Sequence, residues 1–301
     1  MKILITGATG LIGSQLVKDC LKNKIVVNFL TTQKSKLNYF ENATGFYWNP
    51  KTKEIDGRCF EGVNSIINLS GASIFRFWTS KNKSLILKSR VHSLDFLKKY
   101  ITENSLKIDS LISASGIGSY PESALKEFDE LEKEKSDYFL ADLIKKWEDA
   151  ALEFKPIIKN ISVIRIGLVL SKEGGVLKQT IQPMRFGFGV YFGSGRQWQS
   201  WIHVEDISRI FIHILKNNLS GIFNGVSPNP VSNFKFTSVI SKIKRNVLFL
   251  IPIPRIFFKI IFGKMHVILF KNQKVSSKKI ILSGFNFNHR FIEEAIKNIF
   301  K

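Results

Sequence analysis

Residues 2–13 read KILITGATGLIG, an apolar, β-branched run that ends in glycine and continues as Gly7-x-x-Gly10-x-x-Gly13. The stretch that follows, SQLVKDCLKN, places Leu16, Val17 and Leu21 at helical spacing, so the segment reads as strand, turn, helix. Each glycine then has a physical task. Gly7 permits the tight turn, Gly10 lets the backbone approach a pyrophosphate, and Gly13 allows the helix to pack closely on the strand. The N-terminus of the helix adds N–H donors and a partial positive charge that suit phosphates. In this context the triplet predicts a dinucleotide-binding turn, with Thr9, Leu11 and Ile12 as further cofactor contacts.

The same alternation continues outward. KIVVNFLTT (24–32), VNSIINLSG (63–71), IDSLISASG (108–116) and ISVIRIGLVL (161–170) read as strands. KSLILKSRVHSLDFLKKYITE and SDYFLADLIKKWEDAALEF between them read as helices. Strands apolar on both faces and alternating with helices predict an α/β protein with a doubly wound parallel sheet of the Rossmann type. After residue 171 the pattern turns to glycine-rich loops and short segments. The expected division is a dinucleotide-binding domain over 1–170, to which later segments return, and a small, mainly substrate-binding C-terminal lobe over 171–301.

Composition narrows the classes. With 301 residues and 44% hydrophobic content, the chain can bury a sizeable core. The two cysteines, Cys20 and Cys59, form no CxxC or Cys/His cluster, which points to a reducing compartment and to no metal site. The N-terminus lacks the pattern of a signal peptide, so a cytoplasmic location is expected. The net charge of +21 is spread along the chain without aromatic interleaving, and a lysine-rich solvated surface explains it better than nucleic-acid binding. The most apolar region, residues 247–270, is interrupted by Pro252, Pro254, Arg255, Lys259 and Lys264, so no membrane span is expected. Within it, residues 253–270 form a basic amphipathic pattern. The expected role is a lobe helix capping the substrate cleft, with weak peripheral attachment to an anionic membrane as the alternative.

The end of the second strand bears on the cofactor. A carboxylate there would bind the ribose 2′-OH of NAD and repel the 2′-phosphate of NADP. FLTTQKSK (29–36) offers Thr31, Thr32, Gln33, Lys34 and Lys36 and no acid, which favours NADP over NAD.

A series of motifs then follows in order: ITGATGLIG, INLSGASI, FWTSKNKSLILKSRV, SASGIGSY, FLADLIKKWEDAA, RIGLVLSKEGGVL, FGSGRQWQSWIHVEDI, FNGVSPNPVSNFKF and KVSSKKIILSGFNF. Together they resemble the epimerase-like, YfcH-type group of extended or atypical short-chain dehydrogenase/reductases, the NAD-dependent epimerase/dehydratase proteins, some of whose relatives are called cell division inhibitors. The resemblance implies a nicotinamide cofactor across the sheet edge, with Leu69, Ser70 and Gly71, Arg90, and Ser113 and Ala114 among its contacts. It also implies a small-molecule substrate.

In extended reductases a Tyr-x-x-x-Lys pair exchanges the proton while hydride moves, and a Ser or Thr holds the substrate oxygen. Ser115 suits the latter role. Counting back from Glu148, however, the positions of the pair fall on Leu140 and Ile144, neither of which can transfer a proton. Three answers stand open: Tyr120 points into the site from the loop after Ser115, Tyr138 or Lys145 has shifted into it, or the protein binds a dinucleotide without catalysis. Arg196 and Gln197, in GSGRQWQSWIHVEDI (193–207), are the expected substrate contacts together with Trp201, for which core packing is the alternative. His203 reads as part of a structural corner, and His289 as incidental. The expected function is an NADP-binding epimerase or oxidoreductase acting on a small polar, sugar-like substrate. The alternative is a regulatory dinucleotide-binding protein that has lost catalysis.

Overall fold

In the computed structural model, described for residues 1–134, 136–244 and 247–301, the chain builds an eight-stranded sheet and a smaller lobe. The first half contributes β1 (Lys2–Thr6), α1 (Leu11–Lys22), β2 (Val26–Thr31), β3 (Thr44–Asn49), β4 (Glu54–Ile55) and β5 (Ser65–Asn68). It continues with α2 (Ser80–Glu103), β6 (Ser110–Gly116), β7 (Glu127–Phe128), α3 (Phe139–Leu152) and β8 (Asn160–Ile166). Next come β9 (Leu168–Leu170), α4 (Gly175–Met184), β10 (Phe188–Phe192), β11 (Trp198–Gln199), β12 (Trp201–His203) and α5 (Val204–Lys216). The chain closes with β13 (Gly221–Gly225), β14 (Val231–Ser232), α6 (Asn233–Lys244), β15 (Phe249–Ile253), α7 (Arg255–Phe262), α8 (Val267–Phe270), β16 (Lys274–Val275), α9 (Lys278–Leu282) and α10 (Ile292–Phe300).

The sheet runs β13-β8-β6-β5-β1-β2-β3-β4, parallel throughout except for the antiparallel edge strand β4. The order reverses between β1 and β5, which opens a crevice at their carboxyl ends. Ile3, Leu4 and Ile5 of β1 are wholly buried, as expected of a strand covered on both faces, and each contributes about 1.5–3 kcal/mol of burial. Helix α1 lies against α5, whose Ile207, Ile210, Phe211 and Ile214 join the same core. A second core gathers Leu170, Leu177, Met184, Trp201, Phe236, Ile240 and Ile296, all from residue 170 onward.

Three differences from the sequence reading have physical causes. The strand expected over 161–170 breaks at Gly167, where a Cβ would stand 2.4 Å from the Ser200 carbonyl oxygen; beyond it β9 leaves the sheet and pairs with β12. Strands β3 and β13 also enter the sheet, although their glycine-bearing, partly polar sequences gave little periodic signal. Finally, α7 buries only Phe258, which meets Phe192 and Phe270, and Ile256, Phe257, Ile260 and Ile261 face outward. The helix is therefore not the wholly apolar-in cap that its sequence suggested.

Candidate functional site

The glycine turn sits at the crevice. Gly7 has φ +68°, a left-handed conformation that glycine adopts without strain, and a Cβ there would lie 2.6 Å from the Leu69 carbonyl oxygen. A Cβ on Gly13 would lie 2.3 Å from the Gly7 carbonyl oxygen, so α1 packs directly on the turn. Gly10 is the N-cap of α1, offers no side chain of its own, and is followed by a first turn without acids. The N–H groups of that turn are thus left for an anion.

Two cavities meet at this turn. The larger, about 1110 Å³, extends past the end of β2 and is lined by Thr9, Thr31, Thr32, Gln33, Ser70 and Gly71. Lys51, Arg76, Lys81 and Lys88 also line it, and no carboxylate is among its described lining residues. An anionic 2′-phosphate would find cations there and no repulsion. The glycine cradle and this cation-rich end fit a phosphorylated dinucleotide.

The smaller cavity, about 470 Å³, lies on the other side of the turn, with Leu11, Ile12, Leu69, Arg90, Ala114 and Ser115 in its wall. Most of the remaining lining is apolar, including Ile74, Phe75, Leu140, Leu143, Ile144 and Trp147. The Arg90 Nη1 donates to the carbonyls of Ala72 and Ile86 at 3.0 Å, and its guanidinium lies 4.8 Å from the Trp147 ring centroid. Its Nε is buried without a hydrogen-bond partner among the described residues, and burial pushes the guanidinium down to about 10.

Of the two expected catalytic residues, Ser115 lines the cavity, but its hydroxyl donates to Glu148 Oε1 at 2.8 Å. Tyr120 does not reach it. Its ring is 1% exposed and stacks on Phe128; its hydroxyl donates to Asn224 at 2.8 Å and accepts from Arg165 at 3.1 Å. Burial pushes the phenol up to about 12, so the expectation of Tyr120 as a proton donor is corrected: it belongs to a buried polar network. The hub of that network is Arg165, which forks onto Glu148 at 2.8 and 2.9 Å with both side chains buried. An arginine within the apolar run ISVIRIG was the signal for this pair, because a buried charge requires a partner.

Leu140 and Ile144 both face the cavity, so the places where the Tyr-x-x-x-Lys pair would stand are occupied by apolar side chains. Lys145 points elsewhere, to Asp149 at 2.6 Å. Tyr138, the N-cap residue of α3, lines the cavity and donates its hydroxyl hydrogen to the Gly118 carbonyl at 2.6 Å. Lys271, which the sequence reading missed, lines it too: its Nζ stands 3.8 Å from the Tyr138 ring centroid and donates to Ser136 Oγ at 3.0 Å. Burial lowers its pKa below the usual lysine value. No periodic or spacing signal marks Lys271 in ILFKNQKV.

The remaining expected contacts divide. Ser113 is buried and shares hydrogen bonds with Asn68 and the Ala114 carbonyl, so it does not line either cavity. Arg196 is exposed away from both, Gln197 is buried with its Nε2 donating to the Phe192 carbonyl at 3.1 Å, and Trp201 is wholly buried in the lobe core. Trp198, Gln199 and Ser200 line the cavity instead, because β11 presents that part of the segment. His203 caps α5, its Nδ1 accepting from the Glu205 N–H at 3.2 Å. His289, 86 positions further on, stacks on it at 3.8 Å between centroids; with Glu205 these side chains place potential metal-ligating atoms within 4.8 Å of one another.

Strand order, switch-point crevice and glycine turn define a Rossmann-type α/β protein of the short-chain dehydrogenase/reductase kind. The chain belongs to the NAD dependent epimerase/dehydratase family, whose model matches residues 3–224, and a second model, a domain of unknown function, matches residues 253–299. An epimerase family protein of Staphylococcus epidermidis is 30% identical over 307 residues, covering 100% of this chain and 99% of its own length. One from Staphylococcus aureus is 29% identical over 306 residues, covering 99% and 98%. The crystal structure of the human epimerase family protein SDR39U1 (isoform 2) with NADPH superimposes with a TM-score of 0.84 at 25% identity, over 99% of each chain. The UDP-glucuronic acid 4-epimerase of Bacillus cereus, solved with UDP-glucuronic acid and NAD, shares the fold with a TM-score of 0.79 at 17% identity, over 99% of this chain and 97% of its own.

Proposed function

We propose that the chain is an NADP(H)-dependent oxidoreductase or epimerase acting on a small carbonyl or hydroxyl compound in the cytoplasm. The observation that carries this reading is the junction at Gly7: an acid-free, cation-lined cavity on one side and a mostly apolar one on the other. In this reading residues 1–170, completed by β13, hold the dinucleotide, while 171–301 mainly shapes the substrate side. The apolar lining favours a substrate with an apolar body over the sugar-like compound that the sequence suggested, since buried sugar hydroxyls would go unpaired there. The dinucleotide, when bound, supplies or accepts a hydride. Arg90 faces the bound molecules from the cavity wall, Trp198 and Gln199 orient the substrate, and Lys271 exchanges a proton with the substrate oxygen. Its ammonium stands in the cavity wall, paired with Glu122 at 3.3 Å, within reach of a substrate oxygen there.

Titration with NADPH and NADH by fluorescence tests the first step, with NADPH expected to bind more tightly; no binding of either removes the reading. Lys271→Met is then expected to lower turnover by about 10²–10⁴ while leaving NADPH affinity in place. Leu140 and Ile144 in the cavity wall favour a second reading, a dinucleotide sensor without catalysis. NADPH binding with no turnover across a broad panel of carbonyl compounds and nucleotide sugars decides for the sensor.

A further inference from the structure

The lobe carries a surface that the dinucleotide site does not use. Strands β10 and β15 pair as a two-stranded ribbon with Phe188 opposite Phe249, and Phe249 and Ile251 lie on one face by the two-residue period of a strand. Phe188, Phe249 and Ile251 are exposed, as are Phe186 and Leu248 at the end of the ribbon. Helix α7 follows directly and exposes Ile256, Phe257, Ile260 and Ile261, with Ile260 74% exposed. Single exposed apolar residues need no explanation, but nine large ones on β10, β15, the turns beside them and α7 do.

Charge says what covers them. No Asp or Glu occurs between Asp206 and Glu293, an interval that includes all of β15 and α7. Arg255, Lys259 and Lys264 stand exposed among and beside the apolar side chains of α7. A second copy of the same face would bring these cations against one another. Nucleic acid would satisfy the cations but leave isoleucine and phenylalanine against a charged backbone. An anionic bilayer satisfies both, because apolar side chains enter the acyl boundary while lysine and arginine meet the lipid phosphates. We propose that the β10–β15 ribbon and α7 form a peripheral docking surface for an anionic lipid bilayer. Among the described residues no helix is long and apolar enough to cross a membrane, so the attachment is interfacial.

Co-sedimentation of the full chain with phosphatidylcholine vesicles, with and without phosphatidylglycerol, tests this at low and moderate salt. The bound fraction is expected to rise with phosphatidylglycerol and to fall as salt shortens the Debye length. Phe257→Ser/Ile260→Ser is expected to lower partitioning about tenfold or more, by removing apolar insertion. Lys259→Glu/Lys264→Glu, which leaves the apolar residues in place, is expected to remove the dependence on phosphatidylglycerol. All four positions are exposed, and unchanged thermal melts verify folding. No pelleting, equal pelleting with neutral vesicles, or variants that pellet like the parent chain would overturn the proposal. So would a concentration-dependent dimer that the serine variant abolishes, which would assign the surface to a second copy.

Discussion

At the scale of single residues, two buried charge arrangements have measurable consequences. Burial, and then the neighbouring His289, push His203 down to about 4, below its ordinary 6.5. Between these values the unfolded chain binds more protons than the folded one, so the contribution of His203 is full above about pH 6.5 and is lost as pH falls towards 4. The shift corresponds to about 3 kcal/mol. His203→Asn retains a capping acceptor for the Glu205 N–H, so urea unfolding at pH 7 and pH 5 should show a smaller loss for the variant than for the parent chain. The Glu148–Arg165 pair behaves differently. Glu148→Ala strands a buried guanidinium and is expected to cost about 3–5 kcal/mol in urea unfolding, whereas Glu148→Leu/Arg165→Met, which removes both charges, is expected to cost less.

At the scale of elements, the strand–turn–helix unit leaves least room for change. Gly13→Ala would place a methyl group 2.3 Å from the Gly7 carbonyl oxygen and force α1 off the turn, so NADPH titration of the variant should show a loss of affinity of tenfold or more. That unit was legible because local sequence dictates it: periodicity gives the strand and helix, and backbone geometry demands the glycines. That Leu140 and Ile144 stand where the pair would be was legible too, through the resemblance, by counting back from Glu148, and both side chains line the cavity. The segment after Gly195 was not. Whether Arg196 and Gln197 or Trp198 and Gln199 face the cavity depends on β11 pairing with β14, a contact between residues more than 30 positions apart. Tyr120 misled for a related reason. Its partners Arg165 and Asn224 come from β8 and β13, and only the assembled sheet brings them around the phenol.

At the scale of the whole molecule, the dinucleotide reading predicts linkage between binding and stability. NADPH at a hundred times its dissociation constant should add about 3 kcal/mol and raise the melting temperature by about 4 °C, with a smaller shift from NADH at equal concentration. Equal shifts would remove the preference assigned to the cations around Thr31. The order of the sheet also bears on how the chain is made. Strand β8 ends at Ile166, yet the strand that covers its free edge, β13, spans Gly221–Gly225. At the usual 5–20 residues per second, a ribosome needs about 3–12 s to supply the 59 residues from Gly167 through Gly225. Throughout that interval the N–H and C=O groups along one side of β8 lack their strand partner, the condition under which edges recruit other chains. Nascent chains halted between residues 167 and 220 are therefore the ones that should depend most on chaperones, and a stall there should be more damaging than one after β13 has emerged.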